Sequence, residues 1–125
     1  MLEFIEELKK EHRSIKNRLL KVKHLGVHTM EGRNALMETK QLLTMHLEKE
    51  DRELLKQLLG PFHDEMKKIS EFCSEFFAKY AVGGGGIEFF RDFAELYRLL
   101  ESRIQKEETI LFAEYEEFYA LPISA

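Results

Sequence analysis

The chain has 125 residues, of which 44% are hydrophobic and 34% are charged. This length and balance suit one folded domain spanning residues 1–125 and exclude intrinsic disorder. With 19 basic and 23 acidic side chains the net charge is −4, so the chain lacks the clustered basic excess of a nucleic-acid-binding surface.

The cysteine content and the hydropathy of the sequence indicate the cellular compartment of the protein. The single cysteine, Cys73, excludes an internal disulfide and any cysteine-rich zinc site. No apolar run approaches the roughly 20 residues that a membrane-spanning helix needs. The first residues, MLEFIEELKKEH, also lack the apolar stretch of a secretory signal. We therefore expect a cytoplasmic protein that does not enter a membrane.

Glycine and proline divide the chain into four segments with a helical pattern. Gly26 ends the first segment, and Thr29 is a suitable N-cap for the second, which ends at the Gly-Pro pair at 60–61. The third segment ends in the run of glycines at 83–86, and the fourth begins after it. We expect breaks in the helices near residues 25–29, 58–62 and 82–87.

Apolar residues recur every three or four positions in each segment, which is the pattern of an amphipathic helix. In the first segment this stripe consists of Ile5, Leu8, Ile15, Leu19 and Val22, and the other segments have comparable stripes. Short connections favour antiparallel neighbours. The predicted fold is therefore all-α, an up-down-up-down antiparallel four-helix bundle.

Histidine and glutamate interrupt these apolar stripes, at His12, His46, Glu50, His63 and Glu107. A carboxylate in an apolar core costs free energy unless it is paired, hydrogen-bonded or bound to a metal. Counted from the loops at one end of the bundle, the five positions lie 14–21 residues away. That is a spread of about 10 Å along the helix axes. We therefore expect side chains from four helices to form one metal site of histidine and carboxylate ligands.

His63 lies at the same height as the other candidate ligands only when residues are counted from the end of the bundle that has the glycine run. Measured from the Gly-Pro pair at 60–61, His63 is two residues deep and Glu50 ten, a difference of about 12 Å on straight helices. Either the second helix ends before Leu58 in a folded-back corner, or His63 lies above the site. The residues next to two other candidate ligands, Asp51 and Glu108, are expected to be surface charges.

Two of the segments that carry these residues resemble each other, HLEKEDRELL at 46–55 and RIQKEETILF at 103–112. Both resemble the pattern of the hemerythrin-like, or HHE cation-binding, family. EHRSIKNRL at 11–19 and FHDEMKKI at 62–69 resemble the first-helix and third-helix motifs of that family. The resemblance covers all four helices. It implies a non-haem di-iron centre with the ligands His12, His46, Glu50, His63 and Glu107, in which the two glutamates bridge the irons.

One position departs from the family pattern. Arg103 stands where the fourth helix of the family carries a histidine, and arginine stays protonated and does not bind metals. In that family the histidines of the first and second helices bind one iron, and those of the third and fourth helices bind the other. The resemblance therefore assigns His63 to a second ion whose ligand set is incomplete, and it leaves open one iron, two irons or none. We expect Arg103 to turn inward and contact Glu50 or Glu107, so that its charge replaces the missing cation.

Three classes of function remain open from the sequence. The first, which the resemblance implies, is a metal-binding module that binds or senses oxygen, nitric oxide or iron. The second is a metal-free regulatory bundle that binds a protein partner, its polar core closed by Arg103. The third, an enzyme such as a di-iron oxidase, is the least favoured because it needs two redox metals. We expect five phenylalanines to lie mostly in the core: Phe76, Phe77, Phe89, Phe90 and Phe93. Neighbours such as Phe77 and Phe89 are expected to leave an exposed apolar patch, which would suggest a protein partner or a homodimer face.

Overall fold

The computed structural model describes residues 2–52, 62–113 and 117. Within these ranges there is no β-strand, and no helix is both long enough and apolar enough to cross a lipid bilayer. The elements are α1 (Leu2–Leu25), α2 (Met30–Glu50), α3 (Phe62–Tyr80), α4 (Gly86–Lys106) and a π-helical turn that continues α4 (Glu107–Leu111). The all-α prediction is confirmed, and the four helices form a bundle.

The breaks between the helices follow the glycines. The expected breaks at 25–29 and 82–87 are confirmed, because α1 ends at Leu25 and α3 and α4 are separated by residues 81–85, with α4 beginning at Gly86, the last glycine of the run. The third expected break, at 58–62, falls outside the described residues except for the start of α3 at Phe62.

The apolar stripes form the core between the helices. The α1 stripe of Ile5, Leu8, Ile15, Leu19 and Val22 is fully buried. One end of the core is aromatic, since the ring centroid of Phe76 lies 5.0 Å from that of Tyr80 and 6.1 Å from that of Phe89. The expectation that Phe77 and Phe89 form an exposed patch is wrong, because they are only 3% and 1% exposed. The buried stripe of α4 begins at Phe89, one turn before Phe93, and this register leaves the neighbouring Phe90 51% exposed.

The connection between α1 and α2 depends on a close approach of two glycines. Gly26 has a φ of 73°, in the left-handed region that favours glycine, and its N–H donates to the carbonyl oxygen of Val22 at 2.8 Å. Thr29 caps α2, because its hydroxyl oxygen accepts the N–H of Gly32 at 3.1 Å. A Cβ atom on Gly32 would collide with the carbonyl oxygen of Gly26, so the turn requires glycine at position 32.

Polar contacts fix how α1 lies along α2. Lys49, near the end of α2, binds Glu11 in the first half of α1 at 2.8 Å. Arg18 in the second half of α1 lies 3.4 Å from Glu38, closer to the start of α2. These contacts are consistent with antiparallel neighbours. Further contacts of α3 with α2 and α4, and of α1 with α4, complete the bundle.

Candidate metal centre

Four of the five predicted ligands meet inside the bundle. They come from α1, α2 and the π-helical turn, are each at most 3% exposed, and are His12, His46, Glu50 and Glu107. One ligand atom from each lies within 4.8 Å of the others. The prediction that these side chains point inward at one level is confirmed. The fifth, His63, is the second residue of α3, but its side chain lies outside the described part of the chain.

The atoms that face one another in this cluster are spaced as ligands of one ion are. His12 Nε2 lies 3.3 Å from Glu50 Oε2 and 3.1 Å from Glu107 Oε1. His46 Nε2 lies 3.1 Å from the same oxygen of Glu50. Two ligands that each bond a metal at about 2.0–2.2 Å are about 2.8–3.6 Å apart in octahedral or tetrahedral geometry. These three separations fall within that range, and the most distant ligand atoms of the cluster, up to 4.8 Å apart, would have to move slightly closer to share one ion.

Two of the inward-facing atoms have close partners but poor hydrogen-bond geometry. His46 Nε2 lies 3.1 Å from Glu50 Oε2 and Glu107 Oε1 lies 3.1 Å from His12 Nε2, yet among the described residues neither atom makes a well-directed hydrogen bond. A cation between them would give both atoms a better partner. The four side chains line a cavity of about 10 Å³. That volume is close to the space of one water-sized sphere, so the cavity has room for a single ion.

The other nitrogen of each imidazole is held by a carboxylate outside the cluster. His12 Nδ1 lies 2.8 Å from Glu108 Oε2, and His46 Nδ1 lies 2.7 Å from Glu11 Oε1. Because a carboxylate only accepts hydrogen bonds, each imidazole donates from Nδ1 to its outer carboxylate. In the metal-free chain Nε2 of His12 also carries a proton, which a bound metal would displace to reach the Nε2 lone pair. Histidines that bind a metal through one nitrogen are commonly held through the other nitrogen in this way.

Sequence reasoning missed both outer carboxylates. Glu108 was expected to be a surface charge, and no role was assigned to Glu11. The correction for Glu108 has a cause in the backbone, because the N–H of Phe112 donates to the carbonyl oxygen of Glu107, five residues earlier. This wider turn lets the adjacent residues Glu107 and Glu108 reach opposite edges of the His12 ring.

Arg103 lies on the opposite side of the two glutamates from the histidines. Its Nε donates to Glu107 Oε2 and its Nη2 to Glu50 Oε1, both at 3.2 Å. The prediction that Arg103 turns inward to these carboxylates is confirmed. Each glutamate therefore links a histidine to Arg103, with one carboxylate oxygen toward an imidazole and the other toward the guanidinium. Arg103 Nη1 also lies 3.4 Å from the carbonyl oxygen of Met66 and from Ser70 Oγ.

The charges of the cluster compensate one another. Burial lowers the pKa of His12, but its close contacts with the carboxylates of Glu107 and Glu50 outweigh burial and raise the pKa to about 10. Burial raises the pKa of Glu50, but its close contacts with the imidazoles of His12 and His46 hold that pKa well below its usual range. Burial and the charge of Glu50 raise the pKa of Glu107 to about 7. At neutral pH the metal-free cluster thus pairs its carboxylates with a protonated imidazole and a guanidinium, which makes their burial tolerable.

Comparison of the chain with known protein families, with curated proteins and with solved structures gives no significant match. Its function is therefore inferred from its own residues and contacts.

Proposed function

We propose that this chain is a hemerythrin-like, up-down-up-down antiparallel four-helix bundle that binds one transition-metal ion through His12, His46, Glu50 and Glu107. One observation carries the proposal. Both imidazoles turn Nε2 toward the bridging carboxylates at 3.1–3.3 Å, while a second carboxylate holds Nδ1. Two imidazoles and two carboxylates turned toward one point are a donor set that binds transition metals.

The ligand types narrow the choice of metal. Two imidazoles and two carboxylates suit iron, zinc or manganese. The resemblance of the four helix motifs to the hemerythrin-like family favours iron. Iron held by four protein ligands supplies a redox-active centre with coordination positions left for a small ligand. The function that follows is the binding or sensing of oxygen, nitric oxide or iron.

The position of Arg103 supports a single metal ion. The oxygens of Glu50 and Glu107 that would bridge to a second ion both accept hydrogen bonds from its guanidinium. A second cation there would meet a fixed positive charge in a poorly solvated core, which is costly. A di-iron oxidase is disfavoured for the same reason.

A second candidate is a metal-free bundle that binds a protein partner. The observation in its favour is that Arg103 and a protonated His12 already neutralise the two buried carboxylates. In that case the partner surface would be the groove of about 700 Å³ between α1 and α4, which is lined in part by Leu20, Phe90 and Tyr97.

Metal analysis separates the two candidates. The chain, purified without added metal and then reconstituted anaerobically with ferrous iron, is expected to hold about one iron per chain. Replacing both His12 and His46 with alanine should abolish binding. The matched control is His24→Ala combined with His28→Ala, which removes two exposed imidazoles and should leave the iron content unchanged. A chain that holds no metal before or after reconstitution would support the metal-free bundle.

A further inference from the structure

Two carboxylates outside the cluster, Glu11 and Glu108, each bind the outer nitrogen of one ligand histidine. We infer that they are positioning residues for the metal, and that Lys49 acts through Glu11. The inference rests on the proposed function and adds to it a set of residues that do not touch the ion. Each positioning residue is adjacent in sequence to a ligand, Glu11 to His12 on α1 and Glu108 to Glu107 on the π-helical turn.

The π-helical turn holds the ring of His12 from three sides. Glu107 Oε1 lies 3.1 Å from Nε2, and Glu108 Oε2 lies 2.8 Å from Nδ1. Phe112, at the end of the same turn, stacks on the imidazole with ring centroids 5.7 Å apart and planes 9° from parallel. The direction in which Nε2 of His12 points is thus set by one short stretch of backbone.

His46 is held by a chain of ion pairs that reaches the surface. Glu11 uses both oxygens, Oε1 toward His46 Nδ1 at 2.7 Å and Oε2 toward Lys49 Nζ at 2.8 Å. Lys49 also binds Glu7, one turn before Glu11 on α1. This series of ion pairs joins α1 to α2 beside the proposed metal ligands. The ring of His46 is therefore fixed by groups that a bound ion does not contact.

Removing such a contact has a known consequence for a metal site. A carboxylate on Nδ1 fixes the tautomer, limits rotation of the ring and makes Nε2 a stronger donor. Loss of the outer partner typically weakens metal binding about 10-fold to 100-fold. We expect that loss for Glu11→Ala and for Glu108→Ala. Glu11→Gln and Glu108→Gln, which keep an acceptor oxygen of similar reach, should recover part of the affinity.

Cobalt(II) is a suitable probe, because its visible absorption reports ligand geometry as well as occupancy. Titration of the metal-free chain gives the dissociation constant, and the absorption spectrum at saturation should change in both alanine variants. The control Glu95→Ala removes a carboxylate whose partner, Arg98, is exposed, and it should match the unchanged chain in both measurements. If an alanine variant does not fold, the corresponding glutamine variant provides the test, and a smaller loss of cobalt affinity is expected for it.

The outcomes are distinguishable. If all four variants bind cobalt with an affinity within about threefold of that of the unchanged chain and give the same spectrum, the inference is overturned. The proposed metal site would still stand. No cobalt binding by the unchanged chain would overturn both.

Lys49 provides an independent test of the chain of ion pairs. Lys49→Met should weaken cobalt binding in the natural chain and have no further effect in the Glu11→Ala background, because its influence passes through Glu11. Equal losses in the two backgrounds would overturn the role assigned to Lys49.

Discussion

Arg103 and Glu50 come from different helices and meet in the core, with 3.2 Å between Nη2 and Oε1. Both residues are at most 1% exposed. The other oxygen of Glu50 faces the imidazoles of His12 and His46, so this carboxylate connects the two candidate ligands to a permanent cation. Removal of the guanidinium therefore has consequences for stability and for metal content.

Arg103→Ala is expected to lower the free energy of unfolding of the metal-free chain by about 3–5 kcal/mol, because it leaves buried carboxylates without their counter-charge. Chemical denaturation measures the change. The control is Arg98→Ala, which breaks an exposed pair with Glu95 and should cost at most about 1 kcal/mol. A cost for Arg103→Ala as small as that of the control would show that the ion pairs contribute little.

Arg103→His introduces the fourth-helix histidine of the hemerythrin-like pattern that the sequence resembles. If the proposed single-metal site is correct, it is expected to raise the iron content from one ion per chain toward two. The physical reason is the exchange of a fixed positive charge for a neutral donor beside two bridging carboxylates. Iron analysis and the ultraviolet–visible spectrum of both proteins measure the change. The gain should disappear when His63→Ala is added, since the resemblance assigns His63 to the second ion. A natural chain that already holds two irons, or a histidine variant that gains none, would contradict this account of Arg103.

Metal affinity is expected to rise with pH. In the metal-free chain the pKa of His12 is raised to about 10, so below that pH a bound metal must displace its proton. Each displaced proton makes the affinity rise about tenfold per pH unit. Below about pH 7 Glu107 also holds a proton, because its pKa is raised to about 7, and the dependence becomes steeper. Cobalt titrations between pH 6 and 9 measure the slope, and an affinity that is constant over this range would contradict the prediction.

The convergence of the ligands was predictable, because periodicity determines which face of a helix a residue occupies. His12, His46, Glu50 and Glu107 each continue an apolar stripe, and counting residues from the loops placed them within about 10 Å along the bundle. The inward direction of Arg103 followed from electrostatics, since two buried carboxylates need a counter-charge.

The outer contacts were not predictable from the same pattern. Glu108 reaches His12 because one backbone hydrogen bond spans five residues instead of four, and no residue type in that stretch reports such a change. Glu11 contacts His46 through the pairing of two helices, and the spacing of residues within one helix carries no information about it. The patch expected at Phe77 and Phe89 was wrong for a related reason, since adjacent aromatic residues leave the register of the buried face ambiguous.

The turn between α1 and α2 provides a test of the fold that does not involve the site. Gly32→Ala is expected to destabilise the chain by about 1–3 kcal/mol, because the added Cβ would overlap the carbonyl oxygen of Gly26, a backbone atom that cannot rotate away. Gly85→Ala is the matched control, since its φ of 179° is extended and a Cβ there would have no neighbour within 4 Å. The control should be unchanged or more stable by up to about 1 kcal/mol, because alanine lowers the entropy of the unfolded chain. Thermal unfolding of the metal-free proteins measures both, and equal stability of the two variants would show that α2 can move away from Gly26 at no cost.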